Sequence, residues 1–542
     1  MANISNGWVT GTRDSVTAAF ARSLAAVPTN VFLDFSGESY TYEHFDHLSS
    51  HLASSFLELG VQPGDRVASM LDNSVQAVAT WIAANKIGAI WVPINTANKG
   101  EFLRHPLADC GAKLVVVDAQ YFDRIETVAH GVPELSLVLV NGEFAGADVP
   151  ALDVRPLGDY WGDSTGVEVV ENSPSDIGAL MYTSGTTGPS KACMMSHNYL
   201  CNIARAGSNL VALEPHDIVW TPLPLFHTSG LQAILGAIIV GGKVSISLKF
   251  SVTNFWAEIE TSGATVAKIM ASMVPILIAA PEDDAMKRTF GQVRAVVGNP
   301  FTPAQKQAFY DRFGVKYIAN NQYGSTEVYC GTSVPYLADT PQGSAGKRND
   351  DFDVIVLDDN DCEVPYGTPG ELCFRPSKPD VMFSGYWQQP QKSAEVWRNL
   401  WMHTGDMVRM DEEGFIYFTD RKKDYMRKGG ENISGFEMEK TFIGHDAIGE
   451  VSVHALPSEL GEDDIKVVVV LADGANLSHE DLWHWSRERV PSFATPRYIE
   501  FRKELPKNGV GRVLKYQLRD EGVTPATWDV QTTDLVKKRV SQ

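Results

Sequence analysis

The chain has no uncharged apolar run of the ~18 residues that a membrane-spanning helix needs. Leu231 to Val240 is apolar but short, and reads as a buried helix–strand segment. The first residues, Met-Ala-Asn-Ile-Ser-Asn-Gly, lack a basic stretch followed by an apolar core, so no secretory leader is expected. Positive charge is in deficit: 46 Lys and Arg stand against 67 Asp and Glu, a net charge of −21. That balance argues against a nucleic-acid partner, which needs a basic footprint. It leaves room for an anionic ligand held by a local nest of backbone N–H groups or a few placed cations. The six cysteines, Cys110, Cys193, Cys201, Cys330, Cys362 and Cys373, include no C-x-x-C pair. A zinc ribbon or thioredoxin-like motif is therefore not expected, and the thiols fit a reducing compartment. The expected location is cytoplasmic, with peripheral membrane contact left open.

With 542 residues the chain is too long for one core, and two to four structural units are expected. Thr41 can cap a helix whose apolar positions Phe45, Leu48, Leu52, Phe56 and Leu59 follow helical spacing, with Gly60 ending it. Strand-like Arg66–Leu71, helix-like Val75–Lys86 and strand-like Gly88–Val92 follow, and strand-like runs recur at Leu114–Val117, Leu135–Val140 and Lys243–Ser247. This alternation predicts an α/β fold with parallel-rich sheets and flanking helices. After about residue 350, short strands between Asp, Asn, Pro and Gly turns predict a small β-rich subdomain. The last stretch returns to α+β alternation. The expected division is a large N-terminal domain over 1–420, a hinge at 421–424 and a small mobile domain over 425–542, with no solenoid repeat.

The strongest local signal is Tyr182-Thr-Ser-Gly-Thr-Thr-Gly-Pro-Ser-Lys191. A strand feeds a run of small hydroxyl and glycine residues that ends in a cation. Such a run can wrap phosphate oxygens with consecutive N–H groups and hydroxyls. It is not a Walker A loop, because G-x-x-x-x-G-K-[ST] is absent. The string resembles the phosphate-binding signature of the adenylate-forming superfamily: acyl-CoA synthetases, nonribosomal peptide adenylation domains and luciferases. Further matching motifs follow in the family's order over nearly the whole chain.

That resemblance implies ATP, Mg²⁺ and coenzyme A as cofactors and gives roles to named residues. Thr183, Ser184, Gly185, Thr186, Thr187, Gly188 and Lys191 would hold phosphates. Gly298-Asn299-Pro300 and Gln322-Tyr323-Gly324 would border the nucleotide, with Tyr323 beside adenine. Thr326 would contact the α-phosphate and Glu327 would hold Mg²⁺. Asp406 of Thr404-Gly-Asp406, together with Arg421, resembles the ribose clamp. Lys423 falls at the family's hinge position. Pro224-Leu-Phe-His-Thr-Ser-Gly230 matches the acyl-pocket motif, which places His227, Thr228, Gly230, Met270 and Met273 at the substrate. Its His form is typical of acyl-CoA synthetases, whereas amino-acid-activating domains carry an aspartate after the Phe. Gly429, Gly430 and Glu431 match the segment lining the coenzyme A tunnel. Their Gly-Gly-Glu-Asn-Ile form is most like that of the crotonobetaine/carnitine–CoA ligase branch.

The chain departs from the family near its end, where Arg512 stands at the position of a lysine that reaches the carboxylate and α-phosphate. A cation is needed there. Bringing two like unit charges to ~4 Å costs about 4 kcal/mol at an effective dielectric of 20. Three readings stay open: Arg512 serves, Lys515 or Lys507 reaches in, or adenylation is slow. Catalysis is thus assigned to Thr326, Glu327, Arg512 and Lys191. The expected activity is acid–thiol ligation, with acyl-adenylate formation followed by transfer to coenzyme A. Two alternatives stand: a free-standing adenylation enzyme loading a carrier protein, and a catalytically weak adenylate-binding paralogue. The acid is not readable from these motifs, and a homodimer stays open.

Overall fold

The structure, a computed structural model, describes residues 13–537 except 145, 148, 151, 164–165, 184–188, 299–300, 320, 422–424, 459–460 and 507–512. The Thr41 helix forms as its sequence dictates. It spans Tyr42–Glu58, the Thr41 hydroxyl accepts the His44 N–H at 3.1 Å, and Phe45, Leu48, Leu52 and Phe56 are buried. Val75–Lys86 is likewise a helix, capped by Ser74.

The alternating strands build two seven-stranded sheets. One runs in the order Tyr317–Ala319, Ala295–Val297, Val266–Lys268, Ile218–Thr221, Lys243–Ile246, Val31–Phe35 and Glu38–Thr41. The other runs Asp153–Pro156, Leu137–Asn141, Ala112–Asp118, Arg66–Met70, Ile90–Pro93, Ile177–Thr183 and Lys191–Ser196. Each is parallel except for one antiparallel edge pair. Fourteen strands would overload a single twisted sheet, so division into two is the expected physical outcome. The main core draws Val67, Leu114 and Leu139 from one sheet and Val219, Val244 and Val266 from the other. The helices Val75–Lys86 and Thr228–Val240 are buried almost all round, as helices covered on every side must be. Leu231 to Val240 is therefore helix throughout and contains no strand. A continuous apolar run does not distinguish the two states by periodicity.

Residues from 352 to 421 form a five-stranded antiparallel sheet. Beyond it, Tyr425–Lys428 and Glu431–Ser434 make a hairpin. A four-stranded sheet of Ile448–Pro457, Asp463–Leu471, Tyr498–Arg502 and Trp528–Asp529 carries a separate core with Met438, Phe442, Val467, Leu482 and Ile499. Among the described residues, no helix is long and apolar enough to cross a membrane.

Candidate active site

The carboxyl ends of parallel strands are where open α/β sheets bind ligands, because loops there diverge and leave a crevice. The candidate cavity of this chain lies at such strand ends, beside Pro93 and Thr183. Ile177–Thr183 and Lys191–Ser196 are antiparallel partners with Thr183 opposite Lys191, so the glycine- and hydroxyl-rich string is their connecting loop. Ser184, Gly185, Thr186, Thr187 and Gly188 lie outside the described residues, and the loop's two flanks carry the geometry. Thr183 and Ser190 line a cavity of about 160 Å³ together with Thr326, Phe226 and His227. The Lys191 ammonium lies 4.5 Å from the centroid of the Tyr386 ring. The hydroxyl of that same tyrosine donates to Glu327 Oε1 at 2.9 Å. Tyr386 thus joins the loop's cation to the carboxylate of the second motif.

The second motif is held from behind. Tyr199 donates its hydroxyl to the Thr326 carbonyl at 2.9 Å and accepts the Tyr329 N–H at 2.8 Å. Tyr323 donates to Asp406 Oδ2 at 2.6 Å and stacks on Phe374 at 5.8 Å between centroids. Burial, reinforced by Asp406, pushes the Tyr323 phenol far above its ordinary range, so it remains a donor. Asp406 lies within the strand Trp401–Met410, directly opposite Arg421 in the register. The two residues expected to clamp the ribose are thus paired across neighbouring antiparallel strands. The Gln322 carboxamide oxygen accepts from the Cys330 thiol at 3.1 Å. Gly324 packs against the backbone of residues 328–330. Gly298 follows the strand Ala295–Val297, and its N–H bonds the Ala319 carbonyl at 3.2 Å. Asn299 and Pro300 are outside the described residues.

The acyl-pocket motif enters the helix Thr228–Val240 with His227 at its N-cap. Gly230 sits so close to the preceding turn that an added Cβ would lie 2.3 Å from the Pro224 carbonyl oxygen, so no side chain fits there. His227 lines the cavity, and Met270 approaches it from the neighbouring loop. Met273 instead starts the helix Met273–Ala279 and is buried in a separate core with Val274 and Leu277. Met270 packs against that same core.

The C-terminal hairpin closes the cavity. Its two-residue turn is Gly429-Gly430, with φ of +63° and +80°. That is the left-handed geometry a tight hairpin requires, and glycine adopts it without strain. Both turn amides donate to the Glu462 carboxylate, at 2.6 and 3.1 Å. A Cβ on Gly430 would lie 2.6 Å from Met270 Sδ. Glu431 Oε1 meets His227 Nε2 at 2.8 Å and accepts from Asn95 Nδ2 at 3.1 Å. Burial alone would lower the His227 pKa, but the Glu431 carboxylate more than offsets this and holds it above the ordinary value. Two further contacts reach across: Glu437 Oε1 accepts the Ser190 N–H at 2.7 Å, and Lys440 pairs with Glu101 at 2.7 Å. Burial pushes the Glu437 carboxyl up, while the Ser190 N–H opposes the shift.

Lys515, one of the cations open to enter the site, is committed elsewhere in this arrangement. It pairs with Glu439 at 2.7 Å beside the Val453 carbonyl, within the C-terminal region. Lys423, Lys507 and Arg512 lie outside the described residues. Asn95, Tyr199, Tyr386 and Glu437 were not singled out from sequence. Each reaches the site through tertiary packing, and no local spacing marks it.

Comparisons with known proteins identify the family. The AMP-binding enzyme model matches residues 20–387, and the AMP-binding enzyme C-terminal domain model matches residues 437–512. The chain is 29% identical over 500 residues to a crotonobetaine/carnitine–CoA ligase of Salmonella arizonae, covering 90% of this chain and 95% of that one. ATP-bound MatB from Rhodopseudomonas palustris is 26% identical with a TM-score of 0.66, covering 94% and 99%. o-Succinylbenzoate CoA synthetase from Bacillus subtilis, solved with a product analogue, shares the fold at 21% identity and a TM-score of 0.79, covering 94% and 99%. The chain belongs to the AMP-binding enzyme family, the adenylate-forming ligases.

Proposed function

We propose that the chain is an ATP-dependent, AMP-forming carboxylate–CoA ligase that performs two half-reactions at this cavity. In the first, a carboxylate oxygen attacks the α-phosphorus of ATP. The bond to pyrophosphate breaks, and an acyl-adenylate remains. The loop flanked by Thr183 and Ser190, together with Lys191, holds phosphates, and Thr326 faces the reacting oxygens. Glu327, whose carboxylate accepts from the Tyr386 hydroxyl and neighbours the Cys193 thiol, would hold Mg²⁺. A single carboxylate fits that ion, which binds through one or two carboxylates plus substrate phosphates. When bound, it offsets phosphate charge. Tyr323, Asp406 and Arg421 hold the nucleoside. Arg512 supplies the remaining cation.

In the second half-reaction the coenzyme A thiol attacks the acyl carbonyl and AMP leaves. Gly430 and Glu431 stand at the thiol's approach, beside His227. The domains are 1–420 and 425–542, turning about residues 421–424 with Lys423 as the hinge. The observation that carries this reading is the meeting of Thr183, Ser190, Thr326 and His227 with Gly430 and Glu431 around one cavity. The names of the crotonobetaine/carnitine–CoA ligase relatives support it.

A panel of carboxylic acids, assayed for pyrophosphate release with and without coenzyme A, tests the proposal. Acid-dependent release and an acyl-CoA identified by mass are expected. Acid-dependent release with no coenzyme A thioester would overturn the second half-reaction.

A further inference from the structure

Among the described residues three lysines are buried: Lys86 at 3% exposure, Lys268 at 4% and Lys466 at 0%. Two of them hold a carboxylate. Lys86 meets Asp46 at 2.6 Å, and Lys466 meets Glu500 at 2.7 Å. A buried ammonium without an anion is costly, so such pairing is the rule. Lys268 breaks it. Its amine donates to the Gln232 carboxamide oxygen and, at 3.0 Å, to the Tyr329 hydroxyl, both neutral. No Asp or Glu among the described residues forms an ion pair with it, and burial pushes its ammonium down to about 7.

Its place in the fold gives this exception a meaning. Lys268 is the last residue of the strand Val266–Lys268, at the sheet edge where the site's loops diverge. The adjacent strands lead to the His227 motif and to Gly298. Gln232 lies five residues along the helix that His227 caps, about 7.5 Å deeper along its axis. Tyr329 follows cavity-lining Thr326 by three residues, and both are tied to the Tyr199 hydroxyl. Gln232 and Tyr329 thus set the amine against two segments that also reach the cavity, through His227 and Thr326. With the Tyr329 hydroxyl beside it, the set offers donors and a cation to whatever arrives.

We infer that Lys268 and Tyr329 form a distal anion subsite, and that the activated acid is a short dicarboxylic acid whose second carboxylate binds there. The bound carboxylate supplies the partner that Asp46 and Glu500 supply to the other two lysines. The inference rests on the ligase reading for the activated end of the acid, but its test can be separated from that reading.

Glutarate and valerate, similar in length and differing in the second carboxylate, are compared in two assays. One is pyrophosphate release with coenzyme A; the other is thermal stabilisation of the protein with a non-hydrolysable ATP analogue. Glutarate is expected to exceed valerate in kcat/KM and in stabilisation. Lys268→Met should cut kcat/KM for glutarate by roughly 30-fold or more, the usual result of removing one member of a buried charge pair, and raise it for valerate. Lys268→Arg should retain the glutarate preference, and Lys268→Glu should turn selectivity toward 5-aminovalerate. A folded Lys268→Met enzyme with the parent's order of acids would overturn the inference, as would equal stabilisation by both acids in the parent. Glutarate-specific, Lys268-dependent stabilisation without any pyrophosphate release would uphold the subsite while the ligase reading fails.

Discussion

The two walls of the cavity are held in place by different forces. The N-terminal wall grows from an apolar core shared by two sheets, with the His227 helix buried almost along its whole length. Each buried aliphatic or aromatic side chain there contributes about 1.5–3 kcal/mol. The C-terminal wall meets it through Glu431 with His227 and Asn95, Glu437 with Ser190, Lys440 with Glu101, and bare glycine against Met270. The exposed Lys440–Glu101 pair contributes about 0.2–1 kcal/mol. The first wall thus rests on apolar burial and the second on polar contacts, an asymmetry that the proposed turning of the C-terminal domain would use.

Substitutions can break the asymmetry one wall at a time. The largest effect is expected from Gly430→Leu, which places a side chain on Met270 and requires a left-handed φ. Thioester formation should fall by roughly 10²–10³, the scale of an ångström-level misplacement, while acid-dependent ATP–pyrophosphate exchange persists. Measuring both half-reactions separately checks this, and equal loss in both would contradict the division of labour. On the N-terminal wall, Glu327→Gln should lower adenylation by roughly 10²–10³ at saturating ATP, the usual cost of one placed electrostatic group. Stopped pyrophosphate release reads it directly.

A smaller effect is expected from Glu431→Gln, which should reduce the thioester step by about 5-fold, the equivalent of ~1 kcal/mol of lost docking. The same pair predicts a pH response. His227 is raised in the docked state, so its contribution is full below the ordinary histidine pKa and is lost as pH rises through the raised value. Interdomain fluorescence transfer should report less docking as pH rises above the ordinary histidine range, and Glu431→Gln should flatten the profile. The smallest change is assigned to Lys440→Ala, worth about 0.2–1 kcal/mol of docking and less at high salt.

Local order in the chain foretold much of the frame. The Thr41 cap and its helical spacing gave the helix Tyr42–Glu58, and the strand before the hydroxyl-rich string gave Ile177–Thr183. The paired glycines Gly429-Gly430, singled out by resemblance alone, form a hairpin turn at positive φ. Tyr386 and Tyr199 were missed because their partners lie 59 and 127–130 residues away. No window along the chain contains both members of such a contact.

The sequence by itself determined that this is an adenylate-forming enzyme. Its glycine- and hydroxyl-rich string, its Tyr-Gly-Ser-Thr-Glu segment and its paired glycines carry that resemblance as short-range patterns, legible in the order of neighbours along the chain. Only the tertiary structure decided that Glu431 meets His227, that Lys515 is spent on Glu439, and that Lys268 is buried without a carboxylate. Burial and pairing depend on what packs from other segments, and a lysine in a strand gives no local sign of which anion, if any, will face it.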